Sequence, residues 1–192
     1  NLIIEAESTT GQAVEITDSQ FEVDGAVTFE GVSDDTATGG DSGILFDDSS
    51  LSAGGALVMR GEAGASATGA GIEIDADGGR TVALSATSMT LNGTSAGNTY
   101  GLDLNDGVDL DATSGSFALT GTSSSGIDIR IDEAAIDTNA GAATIGGAVE
   151  LGSVADLNTH GGQLTLNDTV NAGSVGVGAL TLNAGAGDVA LS

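Results

Sequence analysis

The chain has no cysteine, no proline and no lysine, and aromatic residues fill only 3% of its 192 positions. Without cysteine it can form neither a disulfide framework nor a thiolate metal site, so its stability must come from backbone hydrogen bonds and packed aliphatic side chains. With so few rings, the core must be layered from aliphatic residues. Glycine occupies 32 positions, and with Asn and Asp it must form the corners of the chain.

Cationic residues are scarce as well, since only three Arg face 28 acidic residues and the net charge is −25 with the single His neutral. Phosphate binding needs cationic side chains that displace counterions, so this charge argues against nucleic acid and anionic membranes as partners. It favours surroundings rich in salt or calcium, where self-repulsion is screened. No apolar run approaches the length of a membrane span, so we expect no membrane insertion.

Short apolar pairs with one residue between them recur along the whole chain, in three series. This period of two is typical of strands that show one face to a core. A unit of three short strands can bury that face only by stacking on copies of itself. The pattern predicts an all-β fold, a right-handed parallel β-helix of about six to seven coils that forms one solenoid over residues 1–192. An antiparallel sandwich, the alternative, does not explain the recurring third strand.

The pairs assign three strands to each coil. The first strand is predicted at Val14/Ile16, Ile44/Phe46, Ile72/Ile74, Leu102/Leu104, Ile127/Ile129 and Val149/Leu151. The second is predicted at Phe21/Val23, Leu51, Val82/Leu84, Val108/Leu110, Ile136 and Val154. The third is predicted at Val27/Phe29, Leu57/Met59, Met89/Leu91, Phe117/Leu119, Ala143/Ile145, Leu164/Leu166 and Leu180/Leu182. Its spacing shortens from 30 residues to 16, which predicts wide coils over residues 1–147 and narrower coils over residues 148–192.

A glycine-bounded gap follows the third strand of each early coil. The bounding pairs are Gly31 and Gly43, Gly61 and Gly71, Gly93 and Gly101, and Gly121 and Gly126. Because every gap leaves the same corner of the coil, we expect the gaps to stack as a tapering fringe along one edge, where solenoids carry much of their function.

Tyr100 is the only tyrosine in the chain and lies in this fringe, beside Asn98 and Thr99. An exposed aromatic ring can stack on a sugar, so these three residues are the predicted glycan contact. The alternative is that Tyr100 covers the apolar edge of its own coil.

Acidic residues lie between the inward pairs of the first strand. The predicted outward column is Glu15, Leu45, Glu73, Asp103, Asp128 and Glu150. Carboxylates stacked one strand spacing apart repel each other. The column therefore indicates either a solvated acidic face or a divalent-cation strip, with Ca²⁺ held by the carboxylates of Glu73, Asp103, Asp128 and Glu150.

Two other functions that β-helices can have are carbohydrate-active catalysis and ice binding. A carbohydrate-active lyase or hydrolase would need Arg or His to converge with acids in a groove, but Arg60, Arg80, Arg130 and His160 stand at unlike positions in their coils. We therefore expect no enzyme. Ice binding is the other, since ice-binding β-helices show flat threonine arrays in two ranks. Here the outward series of the third strand is one rank, broken at Val58 and Ala118, and threonine is common in strands for ordinary reasons. That series is Thr28, Val58, Thr90, Ala118, Thr144, Thr165 and Thr181.

The segments Leu164-Thr-Leu166-Asn and Leu180-Thr-Leu182-Asn-Ala-Gly follow one pattern, with aliphatic residues inward and Thr outward. In this the chain resembles the repeat regions of filamentous-haemagglutinin-type exoproteins. Those are large bacterial adhesins and matrix proteins with β-helical shafts, exported by two-partner secretion or as autotransporter passengers. The resemblance implies an extracellular or cell-surface location and carries over no catalytic residue.

Taken together, these patterns predict the non-catalytic shaft of a secreted adhesin, extracellular fibre or matrix protein, with a surface glycan or other receptor as a possible partner. Residues 1–4 and 188–192 both read as strands without a cap. Open strand edges template further pairing, so we expect the segment to be continued by more coils or by end-to-end contact with another copy.

Overall fold

The computed structural model describes residues 1–34, 41–65, 68–97, 99–124, 126–173 and 178–192. These residues form almost entirely parallel β-sheet, in which three strands make a coil and seven coils stack on an initial strand, β1 (Leu2–Ser8). The predicted parallel β-helix is therefore confirmed. The only helical element among the described residues is a 3₁₀ turn at Asp77–Gly79. In the same residues no helix has the length and apolar character needed to cross a membrane.

The first strands of successive coils form the first face of the solenoid. With strands numbered in chain order, its members are β2 (Val14–Thr17), β5 (Ile44–Asp47), β8 (Ile72–Asp75), the first part of β11 (Leu102–Ala112), the first part of β13 (Ile129–Thr138), β15 (Val149–Leu151) and β18 (Val170–Ala172).

The second face lies next to the first, because β11 and β13 each continue from one face into the other. In β11 a register shift between Asn105 and Val108 marks the corner. The other members of the second face are β3 (Gln20–Val23), β6 (Ser50–Ala53), β9 (Val82–Ala86), β16 (Val154–Asn158) and β19 (Ala179–Asn183).

The third face is a separate sheet of eight parallel strands. Besides β1 it contains β4 (Val27–Ser33), β7 (Leu57–Ala63), β10 (Met89–Ser95), β12 (Phe117–Ser123), β14 (Ala143–Gly146), β17 (Leu164–Leu166) and β20 (Val189–Leu191).

The core consists of inward side chains stacked on their equivalents in the coils before and after. Leu104, for example, pairs in register with Ile74 on one side and Ile131 on the other, and all three are buried. Phe29 and Phe46 meet edge to face, with ring centroids 6.3 Å apart. The alternation of buried and outward residues in the strands is the period of two that the sequence predicts.

Three strand assignments made from the sequence are wrong, one each in the fifth, sixth and last coils. In the fifth coil the buried pair is Ile129 and Ile131, not Ile127 and Ile129. In the sixth coil Val154 faces outward, and Ala155 and Leu157 are buried instead.

The last coil is also placed differently. Leu180 and Leu182 pair with Ala155 and Leu157 in the second face, and the third strand of that coil is β20. The step from Leu166 to Leu191 is 25 residues, so the coils do not narrow to 16. The segments that begin at Leu164 and Leu180 both read Leu-Thr-Leu-Asn. This pattern indicates that the two Leu side chains point inward, but it does not indicate which face the strand joins.

The glycines that bound the gaps pack backbone against backbone. A Cβ atom added to Gly93 would lie 2.0 Å from the carbonyl oxygen of Gly101, and one added to Gly61 would lie 2.0 Å from that of Gly71. In the fourth gap the partner of Gly121 is the carbonyl oxygen of Asp128, at 2.3 Å, and not Gly126 as the sequence suggested. Each gap is thus closed at its base by a crossing of two backbone segments, so its length does not affect the coil beneath it.

A substitution of Gly93 tests this crossing. We expect Gly93→Ala to lower the free energy of unfolding by about 1–3 kcal/mol or more, because the methyl group forces two backbone segments apart. Gly11→Ala is the matched control, since no atom lies within 4 Å of its added Cβ. Urea denaturation of both variants measures the difference, and equal stabilities would show that the two segments do not depend on close contact.

Candidate functional site

A column of outward side chains runs along the middle of the first face. Read from the strand register, its members are Glu15, Leu45, Glu73, Asp103, Arg130, Glu150 and Asn171. Arg130 therefore occupies the position that the sequence assigned to Asp128, and it stands between two acids. The predicted run of four stacked carboxylates does not form.

The error in this column has a simple origin. Ile127, Ile129 and Ile131 are spaced two residues apart, so a shift of two keeps the inside-outside alternation intact. Asp128 instead lies at the corner, where its carboxylate accepts hydrogen bonds from the backbone N–H groups of Ser123 (2.7 Å) and Ala148 (3.0 Å). The register that forms gives Asp128 two backbone donors and gives Asp103 a cationic neighbour.

Arg130 is the centre of a four-residue cluster that spans three coils. Its Nε atom donates to Asp103 Oδ1 at 2.7 Å, and its guanidinium carbon lies 5.1 Å from the centre of the Tyr100 ring. The Tyr100 hydroxyl donates to Glu150 Oε1 at 3.2 Å. We call Tyr100, Asp103, Arg130 and Glu150 the Arg130 cluster.

The cluster unites residues that the sequence analysis treated as two separate sites. Tyr100, predicted as an exposed glycan contact, is half-buried, with its ring against Arg130 and its hydroxyl on Glu150. Thr99 donates from its hydroxyl to the Gly69 carbonyl oxygen at 2.6 Å, while Asn98 lies outside the described residues. The sequence analysis missed Arg130. Its position between Ile129 and Ile131, in the alternating run that begins at Ile127, was the signal that could have identified it as an outward residue of the column.

Burial dominates the electrostatics of the cluster. Asp103 is only 7% exposed, and burial raises its pKa to about 6 although the Arg130 guanidinium opposes the shift. Glu73, its neighbour in the preceding coil, raises the pKa further and itself accepts a hydrogen bond from the Ser42 hydroxyl. Burial also raises the pKa of Tyr100, and the charge of Glu150 adds to that shift. The cluster therefore holds a carboxyl group that titrates near neutral pH.

The other cationic side chains form similar links between coils. Arg80 Nη1 lies 2.6 Å from Asp18 and 2.9 Å from Asp48, so one guanidinium joins acids from two earlier coils at the corner between the first and second faces.

Arg60 and His160 each contact one acid. Arg60 lies 2.6 Å from Glu30 on the third face, and His160 Nε2 lies 3.0 Å from Asp137 beside the second face. The three Arg residues and His160 thus contact different acids, in separate places.

Acidic side chains also line an open groove of about 410 Å³ on the second face. Asp111 and Asp137 are adjacent in register there, with Asp109 and His160 beside them. Burial raises the pKa of Asp111, and the charges of Asp137 and Asp109 add to the effect. Within the described part of the chain, no three His, Asp or Glu side chains are placed to hold one metal ion.

Comparison with protein-family models, with curated proteins and with solved structures gives no significant match. The functional argument therefore depends on the fold and on the geometry described above.

Removing the cation of the cluster tests how much Asp103 depends on it. We expect Arg130→Gln to cost about 3–5 kcal/mol of unfolding free energy at pH 7.5, because it leaves the buried carboxylate of Asp103 unpaired beside Glu73. Arg60→Gln is the matched control. It breaks an ion pair that is largely exposed, so we expect a loss of about 1 kcal/mol or less. Denaturant titration measures both, and similar losses would contradict a buried pair at Asp103.

The raised pKa of Asp103 predicts a definite pH dependence. Its contribution to stability is fully present below its ordinary pKa of 3.8 and is lost as the pH rises through about 6, because the folded state holds the proton more tightly than the unfolded state. The expected loss is about 3 kcal/mol at pH 7.5.

Unfolding free energies between pH 4 and pH 8 measure this dependence. In Asp103→Asn the titrating group is gone, so we expect a flatter profile than in the wild type. Asp109→Asn, at an exposed acid of the second face, serves as the control. An Asp103→Asn profile parallel to that of the wild type would show that Asp103 titrates equally in both states.

Proposed function

We propose that this chain is a non-catalytic shaft of an extracellular fibre, adhesin or matrix protein. The observation that carries the proposal is the placement of its cations. Arg60, Arg80 and Arg130 each form ion pairs with acids of neighbouring coils, so the cationic side chains link coils and do not converge in one groove. The acidic, cysteine-free composition and the resemblance of its repeats to exoprotein shafts support an extracellular location.

The architecture suits a stiff spacer. Each inner coil is hydrogen-bonded to the coil on either side through three parallel ladders, and buried aliphatic stacks run along the same axis. The strands β18, β19 and β20 each pair with one neighbour within the described residues, so another coil or another copy would extend the same ladders. End-to-end continuation is therefore part of the proposal.

A carbohydrate-active enzyme is less well supported by this geometry. The acids of the second-face groove have His160 beside them, but the three Arg residues lie elsewhere in separate ion pairs. The proposed glycan contact at Tyr100 would have to use the part of its ring that Arg130 leaves open.

Removing one coil tests the shaft. Gly61 and Gly93 pair in register, so deleting residues 61–92 and joining Arg60 to Gly93 removes one complete coil. Ile3 and Ala190 lie in one column of the third face, across seven strand spacings. Because the chain has no other cysteine, cysteines placed at these two positions can be spin-labelled specifically.

Pulsed electron paramagnetic resonance should give a narrow distance distribution near 34 Å in the full chain, from strand spacings of about 4.8 Å. In the deletion we expect a shift of about 4.8 Å to shorter distance without broadening. Deleting only residues 77–92 removes the second-face strand of the coil and the first four residues of β10, and should prevent folding. A broad distribution in the full chain would contradict a stiff shaft.

A further inference from the structure

The third face carries no charged side chain from β10 to β17. The outward residues of these strands are mostly threonine, namely Thr90, Thr94, Thr120, Thr122, Thr144 and Thr165, and the others are Asn92, Ala118 and Gly146. The earlier strands of the same face differ, since their outward positions include Glu5, Glu30, Arg60 and Glu62. We call the uncharged part, from β10 to β17, the threonine patch.

The threonine patch is a regular grid. Strand pairing runs in register without a shift from β10 to β17, so that Thr94 lies beside Thr122 and Asn92 beside Thr120. Neighbouring strands are about 4.8 Å apart, and successive outward residues on one strand are about 6.6 Å apart. Threonines are neighbours across strands at Thr94 with Thr122 and at Thr144 with Thr165, and along one strand at Thr120 with Thr122, while Asn92, Ala118 and Gly146 occupy the other positions of the grid.

The hydroxyl groups of this patch are not used by the protein. Among the described residues, none of the six threonine side chains makes a hydrogen bond to another protein group. β-Propensity accounts for threonine in a strand but not for the absence of charge in a chain with 28 acids. The first and second faces of the same coils carry Asp103, Asp109 and Arg130 at outward positions.

The chemistry of the patch limits what it can bind. It offers no charge for an ionic ligand, and no aromatic ring on which a sugar could stack. Its area is on the order of 300 Å², from four strand spacings and the lengths of its strands. A stable contact with a second copy needs about 800 Å² on each partner, so the patch is too small for such a contact by itself.

We propose that the threonine patch binds ice. The surface of an ice crystal is uncharged, and it presents hydrogen-bond donors and acceptors in a regular two-dimensional lattice. Threonine hydroxyls can join that lattice, while the adjacent methyl groups exclude disordered water. This activity is independent of the proposed shaft function, because it depends on the outward residues of one face and not on stiffness.

Thermal hysteresis and ice-crystal shaping of the purified chain test the proposal. We expect both activities in the wild type and loss of most of the hysteresis in Thr120→Lys, which places a hydrated cation in the centre of the grid. Ser52→Lys is the matched control, because Ser52 is also exposed and outward but lies on the second face. It should retain wild-type activity. Equal melting temperatures would show that both variants fold.

Three outcomes would overturn the proposal. The first is a wild type without hysteresis or crystal shaping, and the second is an equal loss in Ser52→Lys. The third is a different binding activity that Thr120→Lys removes. Concentration-dependent sedimentation would assign the patch to contact with a second copy. Co-pelleting with crystalline cellulose or chitin would assign it to a neutral polysaccharide. The distance between the spin labels in the shaft experiment does not depend on the threonine patch, so it distinguishes failure of the shaft proposal from failure of this one.

Discussion

In-register parallel stacking is the constraint on which the rest of this structure depends. Each outward side chain has its equivalents on the neighbouring coils as its nearest neighbours, about 4.8 Å away. An apolar or neutral residue can be repeated at such a position without cost, but a carboxylate repels its own copies. With 28 acids and a net charge of −25, a cation that interrupts an acidic column lowers this repulsion. Arg130 does so on the first face, between Asp103 and Glu150.

The same stacking explains how the coils can differ in length without disturbing one another. The gap before each first strand begins and ends at a backbone crossing, and at Gly61 with Gly71 and Gly93 with Gly101 the absence of a side chain lets the two segments touch. On the outer side of this crossing, the gap segment can be long or short. Below it the strands keep their register, as the pairing of Gly31, Gly61, Gly93 and Gly121 along the third face shows.

Much of this architecture could be predicted from the sequence, and the error at the first strand of the fifth coil has a clear cause. Alternation of apolar and polar residues identifies which side chains face inward, so the third-strand pairs from Val27/Phe29 to Leu164/Leu166 were correct. Alternation does not identify register, because a shift of two residues preserves it. Ile127, Ile129 and Ile131 allow two registers. The one that forms gives Asp103 a cationic neighbour and gives Asp128 two backbone hydrogen-bond donors.

The candidate site was harder to predict for the same reason. Glu73, Asp103 and Glu150 were placed in one column correctly, but the residue that gives the column its chemistry was not. Tyr100 precedes β11 and meets Arg130 and Glu150 only because the two following coils bring them alongside. Contacts of this kind join residues up to 50 positions apart, so no local pattern contains them.

The arrangement of charge also follows from stacking, face by face. A cation relieves the repulsion among stacked acids, and the first face, the third-face strands before β10 and the corner at Arg80 all contain one. Once a column holds threonine, no such correction is needed, and the column can continue through coil after coil. The third-face strands from β10 to β17 form columns of this uncharged kind. A solenoid built by one stacking rule can therefore present an ionic surface and an uncharged, regular surface on the same rod, and each is suited to a different kind of contact.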